Sequence, residues 1–195
     1  MGTIIFASNN QNKVNEIKAI LEGNFDIVSL KEGGIDIDIP EPYDTLEENA
    51  REKSRTIYAL TGKDCFSEDT GLEVEALNNE PGVRSARYAG DHDAKKNTEK
   101  LLENLAGIEQ RQARFRTIVS LILSGEEHLF EGICEGKIIH QEQGTNGFGY
   151  DPVFIPDGSD KTFAEMDMTE KNQFSHRKKA IAKLSIFLKQ QHGQD

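Results

Sequence analysis

The stretch that decides the fold lies at the start of the chain, with TIIFASNNQNK at residues 3–13. Its first five residues are mostly apolar and β-branched, as in a buried strand, and the polar residues 8–12 end that strand. Lys13 then opens a helix that carries Val14 and Ile17 on one face. A strand, a polar turn and a helix in this order predict an α/β layer with ligand-binding groups at the carboxyl end of the strand.

The later segments mix strand and helix patterns without strict alternation. Strand-like runs cover residues 25–30, 64–67, 72–77, 115–123 and 129–139, and helical patterns cover residues 45–60, 95–105 and 175–190. The helix at 45–60 starts with a capping box and is followed by Gly62. With no repeat and no long linker in 195 residues, the sequence predicts one α/β or α+β domain, residues 1–195, with a curved mixed sheet.

Composition narrows the class of protein. The chain has 34 acidic and 23 basic residues and a formal charge of −11, so we expect no nucleic-acid partner. No stretch approaches the roughly 20 apolar residues of a membrane span. The first residues also lack the pattern of a signal peptide, so we expect no membrane partner and a cytoplasmic location. Cys65 and Cys134 match no metal-ligand spacing and are predicted to be small buried apolar residues.

The polar turn at residues 8–13 is a candidate phosphate site. A turn between a strand and a helix points backbone N–H groups and the positive end of the helix at one place, and Lys13 adds a full positive charge there. The glycines of a Walker A loop are missing. An ordinary capped helix start is therefore the alternative.

Two adjacent carboxylates, Glu68 and Asp69, follow a predicted strand and precede a predicted turn at Gly71. Such a pair is costly unless a cation or water chemistry needs it, and Mg²⁺ binds carboxylate oxygens while keeping some of its waters. Glu41, between two prolines, is a candidate third carboxylate. Adjacent acidic residues are also common at surface turns, and a surface turn is the alternative.

Two later segments are candidates for ligand binding, and the first of them is a candidate for binding a flat ring. GTNGFGYDP at residues 144–152 combines three glycines, two aromatic rings and an aspartate, which favours close backbone approach, stacking and acceptance of ring N–H groups. A stiffened hairpin loop is the alternative there. EKNQFSHRKK at residues 170–179 carries several cationic groups near the start of the last helix. Cations there oppose the helix dipole and indicate an anionic partner, with a solvated basic face as the alternative.

Taken together, these segments resemble the inosine/xanthosine triphosphate pyrophosphatases, a family that acts on non-standard purine nucleotides. Seven blocks match in family order: SNNQNK (8–13), TLEENA with Lys53 (45–53), SEDTGLEVEAL (67–77), PGVRSARYAG (81–90), GTNGFGYDPVF (144–154), TFAEM (162–166) and EKNQFSHR (170–177). Three positions depart from the family pattern. Asn9 replaces a glycine, and it is a residue that also tolerates positive φ. Glu41 is followed by Pro42 instead of threonine, and Glu68 replaces an aspartate of some relatives.

The resemblance implies a fold of two α/β lobes around a long curved mixed sheet, with the nucleotide in the central cleft, and it implies a homodimer. It implies that Asp69 is the catalytic carboxylate and that Asp69 and Glu41 are ligands of Mg²⁺. By the same resemblance Thr70 would contact the substrate. The other matched positions would bind the triphosphate (Ser8, Asn9, Asn10, Gln11, Asn12, Lys13, Lys53) or enclose and read the base (Phe148, Gly149, Tyr150, Asp151, Lys171, His176, Arg177).

The expected function is hydrolysis of ITP, dITP and XTP to the monophosphate and pyrophosphate, which would cleanse the nucleotide pool. Donors of Lys171, His176 or Arg177 facing the 6-oxo group would reject the 6-amino group of ATP, because each mismatched donor costs about 1–3 kcal/mol. Two other hypotheses stay open. One is a pyrophosphatase for modified pyrimidine nucleotides or dUTP, and the other is a nucleotide sensor without turnover.

Overall fold

A computed structural model describes residues 3–21, 25–90 and 92–192, with only the backbone of His192, and the remaining residues of the predicted domain 1–195 lie outside this description. Within the described ranges the chain is a mixed α/β protein, which confirms the predicted fold class. The strands are β1 (Thr3–Phe6), β2 (Asp26–Ser29), β3 (Cys65–Val74), β4 (Glu80–Gly82), β5 (Gln112–Leu123), β6 (Glu126–Ile138) and β7 (Phe154–Pro156). The α-helices are α1 (Gln11–Leu21), α2 (Leu46–Thr61), α3 (Ala94–Asn104), α4 (Met168–Phe174) and α5 (His176–His192). The strands form one sheet in the order β2-β1-β3-β5-β6-β7, with β4 paired to β3.

The chain divides into two compact units. Unit 1 comprises Met1–Asp69, Thr117–Gly132 and Arg177–Asp195. In unit 1, β1 pairs in parallel with β2 and with the first residues of β3, as expected for a strand followed by a helix. The core of this unit contains Phe6 stacked on Phe66, with ring centroids 4.9 Å apart, and buried side chains of α1 and α5. Burial of these apolar faces, and not helix propensity alone, stabilises the two helices.

Helix α2 begins and ends where its sequence signals predict. Thr45 accepts a hydrogen bond from the Glu48 N–H at 3.2 Å, which satisfies one of the N–H groups left open at a helix start. Gly62 follows the helix in the left-handed conformation at φ 65°, where glycine avoids the strain that a side chain would bring. This helix carries Lys53 on its buried face.

Unit 2 comprises Thr70–Arg116 and Ile133–His176. Its core includes a cluster of aromatic rings. The centroid of the Phe115 ring lies 4.7 Å from that of Phe154 and 6.1 Å from that of Phe163. Such ring pairs add stabilisation beyond the apolar area that they bury. The sheet of this unit includes the antiparallel pairs β3 with β4 and β6 with β7.

The structure differs from the prediction at Gly71 and in the segment before the last helix. The expected turn at Gly71 does not form, because residues 65–74 are one continuous strand. Gly71 is needed there for a different reason: a Cβ at this position would lie 2.7 Å from the Gly82 carbonyl oxygen of the neighbouring β4. The predicted last helix is preceded by the separate short helix α4, whose start is capped by the Asp167 carboxylate.

The two cysteines are buried, as predicted, with Cys65 in unit 1 and Cys134 in unit 2. Burial raises the pKa of the Cys65 thiol to about 12, since a thiolate is costly in an apolar environment. In the described ranges, no helix combines the length and the hydropathy that crossing a bilayer would require.

Candidate active site

The polar turn after β1 is organised by Asn10. The Asn10 side-chain oxygen accepts hydrogen bonds from the N–H groups of Asn12 and Lys13, at 3.0 and 3.2 Å. Helix α1 therefore begins at Gln11, two residues before the predicted start, because Asn10 acts as its N-cap. The Asn9 side chain donates to the Ile37 carbonyl at 2.8 Å, which ties this turn to the segment that follows β2.

A pocket of about 370 Å³ lies beside this turn in unit 1. Its volume is in the range of small-ligand sites. Three of the predicted phosphate-binding residues line it together with residues from the segment after β2. The lining residues are Ser8, Asn9, Gln11, Val14, Ser29, Lys31, Gly34, Ile35 and Asp36.

A second group of unit 1 is centred on the Lys53 ammonium. Lys53 Nζ donates to Glu41 Oε1 at 2.5 Å and to Asp69 Oδ1 at 3.2 Å. Burial disfavours the charged form of Lys53, but the charges of Asp69 and Glu41 outweigh this effect and raise its pKa. One ammonium from α2 thus holds two carboxylates together, one from β3 and one from the segment before α2.

The Asp69 carboxylate is only partly satisfied. The residue is 5% exposed, and its Oδ2 atom is buried without a hydrogen bond from any residue in the described part of the chain. Burial raises the pKa of Asp69. The Lys53 charge opposes this shift, and the Glu41 charge adds to it. A carboxylate with a raised pKa and an open oxygen is suited to accept a proton or to bind a cation.

Glu68, the neighbour of Asp69 in β3, is fully paired. Its side chain is inaccessible to solvent and lies 3.0 Å from Lys13 Nζ. Arg177 donates to both Glu68 oxygens, from Nε at 2.8 Å and from Nη2 at 3.1 Å, and its Nη1 donates to Glu16. Burial disfavours the Glu68 charge, but the charges of Arg177 and Lys13 outweigh it and lower the pKa of Glu68.

Unit 2 holds a separate polar group among aromatic rings. Asp151 Oδ2 accepts from Lys171 Nζ at 2.8 Å and from the Phe148 N–H at 2.9 Å. The same ammonium lies over the Phe148 and Phe163 rings, 5.3 and 5.4 Å from their centroids. Gly147 belongs to this arrangement, because a side chain there would collide with the Asp151 carboxylate.

Three more predicted base-binding residues lie in unit 2. The His176 ring is buried and stacks on Phe115, with centroids 4.7 Å apart and an angle of 15° between the planes. The Tyr150 hydroxyl donates to the Ser85 carbonyl at 2.9 Å, and Gly149 adopts a positive φ of 63°. Thr70 is half-buried at the next position of β3 after Asp69.

Comparison with known proteins identifies the family. The model of the Ham1 family matches residues 4–187. The chain belongs to the Ham1 family. It is 52% identical to a Porphyromonas gingivalis protein named dITP/XTP pyrophosphatase, over 96% of this chain and 98% of the relative. A Christiangramia forsetii protein of the same name is 47% identical over 95% of this chain and 98% of the relative.

Solved structures of Ham1 proteins have the same fold. The Staphylococcus aureus Ham1 protein superposes with a TM-score of 0.88 at 40% identity, covering 97% of this chain and 100% of the other. A nucleoside-triphosphatase / dITP/XTP pyrophosphatase from Mycobacterium abscessus superposes with a TM-score of 0.77 at 41% identity, covering 94% and 98%. These values show that the Ham1 fold extends over nearly the whole chain.

In this Ham1-family chain the predicted metal ligands, Glu41 and Asp69, do come together around Lys53. Lys171 and Asp151 also come together, with the Lys171 ammonium 5.3 Å from the centroid of the Phe148 ring. Arg177 makes contacts that the sequence did not predict. The sequence predicted that it would act with His176 on the base, whereas all three of its side-chain nitrogens contact carboxylates of unit 1.

Sequence reasoning missed Glu16. This residue is 5% exposed, because it lies on the face of α1 that also buries Val14, Ile17 and Leu21. The signal was present in the sequence, since an acidic residue on the apolar face of a helix needs a buried partner. The partner itself, Arg177, is 161 positions away along the chain and could not be deduced from local pattern.

Proposed function

We propose that this protein hydrolyses dITP, ITP and XTP to the monophosphate and pyrophosphate, and that it requires Mg²⁺. The names of its Ham1-family relatives support the substrate class. The observation that carries the proposal is the state of Asp69. It is a buried carboxylate with a raised pKa and one oxygen without a hydrogen bond from the described residues, held beside Glu41 and Lys53.

The chemistry requires a base and positive charge, and no nucleophilic side chain. In the proposed reaction Asp69 accepts a proton from a water molecule while the water oxygen forms a bond to the α-phosphorus. The bond between that phosphorus and the bridging oxygen breaks, and pyrophosphate leaves with the electron pair. Lys53, Lys13 and the positive end of the α1 helix dipole offset the negative charge on the phosphates, which is the largest contribution expected in phosphoryl transfer.

The carboxylates fit a magnesium site. Glu41 and Asp69 would hold the ion, and the Asp69 oxygen without a hydrogen bond is an available ligand atom. Within the described ranges no three His, Cys, Asp or Glu side chains cluster closely enough to form an all-protein site. This agrees with the preference of Mg²⁺ for one or two carboxylates together with water and phosphate oxygens. When bound, the ion would supply charge neutralisation and orientation of the phosphate chain.

The residues of unit 2 would read the base. The Phe148 ring offers a stacking surface, and Lys171 beneath it is buried and held by Asp151. Tyr150 and Gly149 would shape the loop, His176 would supply a polar group, and Thr70 would contact the substrate. A fixed hydrogen-bond donor that faces the 6-position favours a 6-oxo group, which can accept the bond, over a 6-amino group, which cannot. Lys171 is the residue that best fits this role, since an ammonium donates and cannot accept a hydrogen bond.

The assembly and the surroundings of the enzyme are also proposals. The family resemblance favours a homodimer, which light scattering after size exclusion would test. The net charge of −11 supports a small-molecule substrate over a nucleic-acid partner. A cytoplasmic location agrees with the role of cleansing a nucleotide pool.

The deciding experiment measures pyrophosphate release by the purified protein from ITP, dITP, XTP, dUTP and ATP, with Mg²⁺ and with Mg²⁺ removed by chelation. We expect release from the three 6-oxo purine nucleotides, with kcat/KM for ITP about 10-fold or more above that for ATP. We also expect loss of activity on chelation and recovery when Mg²⁺ is added back.

Other outcomes would point to the other hypotheses. Preferred hydrolysis of dUTP would favour a pyrimidine nucleotide pyrophosphatase. Binding of ITP without release of pyrophosphate would favour a nucleotide sensor. Full activity after chelation would contradict the role proposed for Glu41 and Asp69 at a metal ion.

A further inference from the structure

Lys13 belongs to a cluster of ion-paired side chains in unit 1. Its ammonium lies 3.0 Å from Glu68 Oε1, and the side chain is 17% exposed. The side chains of Glu68, Arg177 and Glu16 are 0%, 2% and 6% exposed. Among these four residues, Lys13 is thus the one through which the group reaches solvent.

The buried residues form a continuous chain of charge-assisted hydrogen bonds. Glu16 accepts from Arg177 Nη1. Arg177 also donates two hydrogen bonds to Glu68, one from Nε and one from Nη2. Glu68 Oε1 accepts from Arg177 and also lies beside Lys13 Nζ. A planar guanidinium that makes contacts on both sides fixes its partners in direction as well as in distance.

The ion-pair chain (Glu16, Arg177 and Glu68) begins at Glu16 of α1 and leads back to α1 through Lys13, which contacts Glu68. Glu16 and Lys13 are three positions apart in α1 and could pair directly on the helix surface. Instead Glu16 contacts Arg177, and Lys13 contacts Glu68 of β3. Two positive and two negative groups balance within this buried cluster. Loss of one carboxylate would leave an excess positive charge that competes with Lys13 for Glu68.

We propose that Glu16 is a positioning residue, which acts through Arg177 and Glu68 to fix the ammonium of Lys13 where it binds the substrate phosphates. The inference rests on the proposed function in one respect, that Lys13 binds phosphate. It assigns to Glu16 a role in ligand binding although this side chain is buried away from any ligand. It also assigns to Arg177 a role that does not depend on the base.

The test is a double-mutant cycle on the binding of inorganic pyrophosphate with Mg²⁺, measured by calorimetry on the full chain. Glu16→Gln keeps the volume and removes the charge, and we expect it to weaken binding about 10-fold, the scale expected for a misplaced binding group. Lys13→Ala should weaken binding at least as much. In the double variant, Glu16→Gln should cause no further loss beyond about twofold, because its effect passes through Lys13.

Lys18→Gln is the matched control, since it removes the other ion pair of α1, between Lys18 and the half-exposed Glu32. It should leave the affinity for pyrophosphate unchanged. Additive losses from Glu16→Gln and Lys13→Ala would overturn the inference, as they would show that Glu16 stabilises the fold in general. If Glu16→Gln does not fold, Arg177→Lys carries the same cycle, because lysine keeps the charge but cannot bridge Glu16 and Glu68.

This readout separates the inference from the proposed function. A wild-type protein that binds pyrophosphate with a non-additive cycle, but hydrolyses no nucleotide, would support the positioning role and contradict the proposed reaction. A wild-type protein that hydrolyses ITP with an additive cycle would do the opposite. Failure of the wild type to bind pyrophosphate at all would overturn the inference.

Discussion

On one side of β3 the carboxylate of Glu68 accepts hydrogen bonds from Arg177 and lies against Lys13, and its pKa is lowered. At the next position Oδ1 of Asp69 accepts a hydrogen bond from Lys53, Oδ2 accepts none from the residues that the structure describes, and the pKa is raised. Successive residues of a strand point to opposite faces, so two neighbouring acids reach different environments. Burial disfavours both charges. At Glu68 the charges of Arg177 and Lys13 outweigh burial, whereas at Asp69 the charges of Lys53 and Lys13 do not, and the Glu41 charge adds to the effect of burial.

The contrast assigns different work to the two residues. A carboxylate that is surrounded by fixed cations stays ionised and is a weak base, so Glu68 is suited to hold other groups in place. A carboxylate with a raised pKa is a stronger base, so Asp69 is suited to take a proton in the reaction. Opposed pKa shifts of neighbouring acids are a general sign of divided roles in an active site.

The largest effect is expected from Asp69→Asn. This change should lower kcat/KM for ITP at least about 100-fold, or roughly 2.7 kcal/mol of barrier, because it removes the proposed base and a proposed metal ligand. Stability should fall less than in Glu68→Gln, because burial already disfavours the Asp69 charge and the buried Lys53 keeps Glu41 as a partner. Thermal unfolding and steady-state kinetics on the same preparation would check both statements. Retention of more than about a tenth of the wild-type kcat/KM would contradict the assignment.

The matched change on the other face, Glu68→Gln, should act first on stability. Removal of this charge leaves the buried Arg177 with one of its two carboxylate partners, and breaking a buried ion pair costs about 3–5 kcal/mol. We expect the free energy of unfolding in urea to fall by about 3 kcal/mol, near the lower end of that range because Glu16 remains. An unchanged midpoint would show that Glu68 is not held as tightly as its contacts indicate.

Arg177 sharpens the contrast further, because the sequence and the structure predict different results. If Arg177 acts through Glu68, Arg177→Lys should lower kcat/KM for ITP, XTP and ATP by a similar factor, about 10-fold. If it reads the base, as its sequence position suggests, ITP should lose far more than ATP. Kinetics on the three substrates at saturating Mg²⁺ would decide, and the contacts to Glu16 and Glu68 favour the first result.

The pH dependence of the proposed reaction would test the role of Asp69 as the base. The base must be ionised, so kcat/KM should fall as the pH drops through the pKa of Asp69, which is raised above 3.8. Lys53 lowers that pKa by its charge. Lys53→Met should therefore move the acid limb of the profile to higher pH, in addition to any loss of phosphate binding. A limb that stays in place would mean that another group is the base.

The smallest effect is expected at an exposed ion pair, the one between Lys18 and Glu32. Lys18 and Ser29 lower the pKa of Glu32 from 4.5 to about 2, but the Glu32 side chain is 50% exposed. Solvent screens such pairs, so Lys18→Gln should cost at most about 1 kcal/mol of stability. Because the folded pKa lies below the unfolded one, this stabilisation is complete above pH 4.5 and is lost as the pH falls towards 2. Unfolding curves across that range would show whether the loss follows Glu32.

The parts of the fold that were predictable are those that depend on neighbouring residues. Thr45 and Gly62 mark the ends of α2, and the Ser124–Gly125 turn joins β5 to β6 with φ values of 51° and 86°, as hairpin geometry requires. Gly71 was misread as a turn because its close approach to Gly82 depends on a pairing between strands. Helix α4 was missed because only Ser175 separates it from α5.

The candidate site likewise has features that were predictable from neighbouring residues and features that were not. The SNNQNK and SEDTG motifs drew attention to Lys13 and Asp69 by residue type and by family resemblance. The burial of Glu16, the two-point contact of Arg177 and the opposite environments of Glu68 and Asp69 depend on residues up to 161 positions apart. Local patterns carry no information about such distant partners, although a buried charge on an apolar helix face does indicate that a partner exists.

The two buried cysteines make the chain a reporter of its own local opening. Cys65 belongs to unit 1 and Cys134 to unit 2, and the raised pKa of Cys65 adds to the protection that burial gives against alkylation. A pulse of a thiol reagent in increasing denaturant, read by mass spectrometry, would label each unit as it opens. Equal labelling of both thiols would mark one cooperative transition. Earlier labelling of either one would rank the two units by stability without the introduction of any probe.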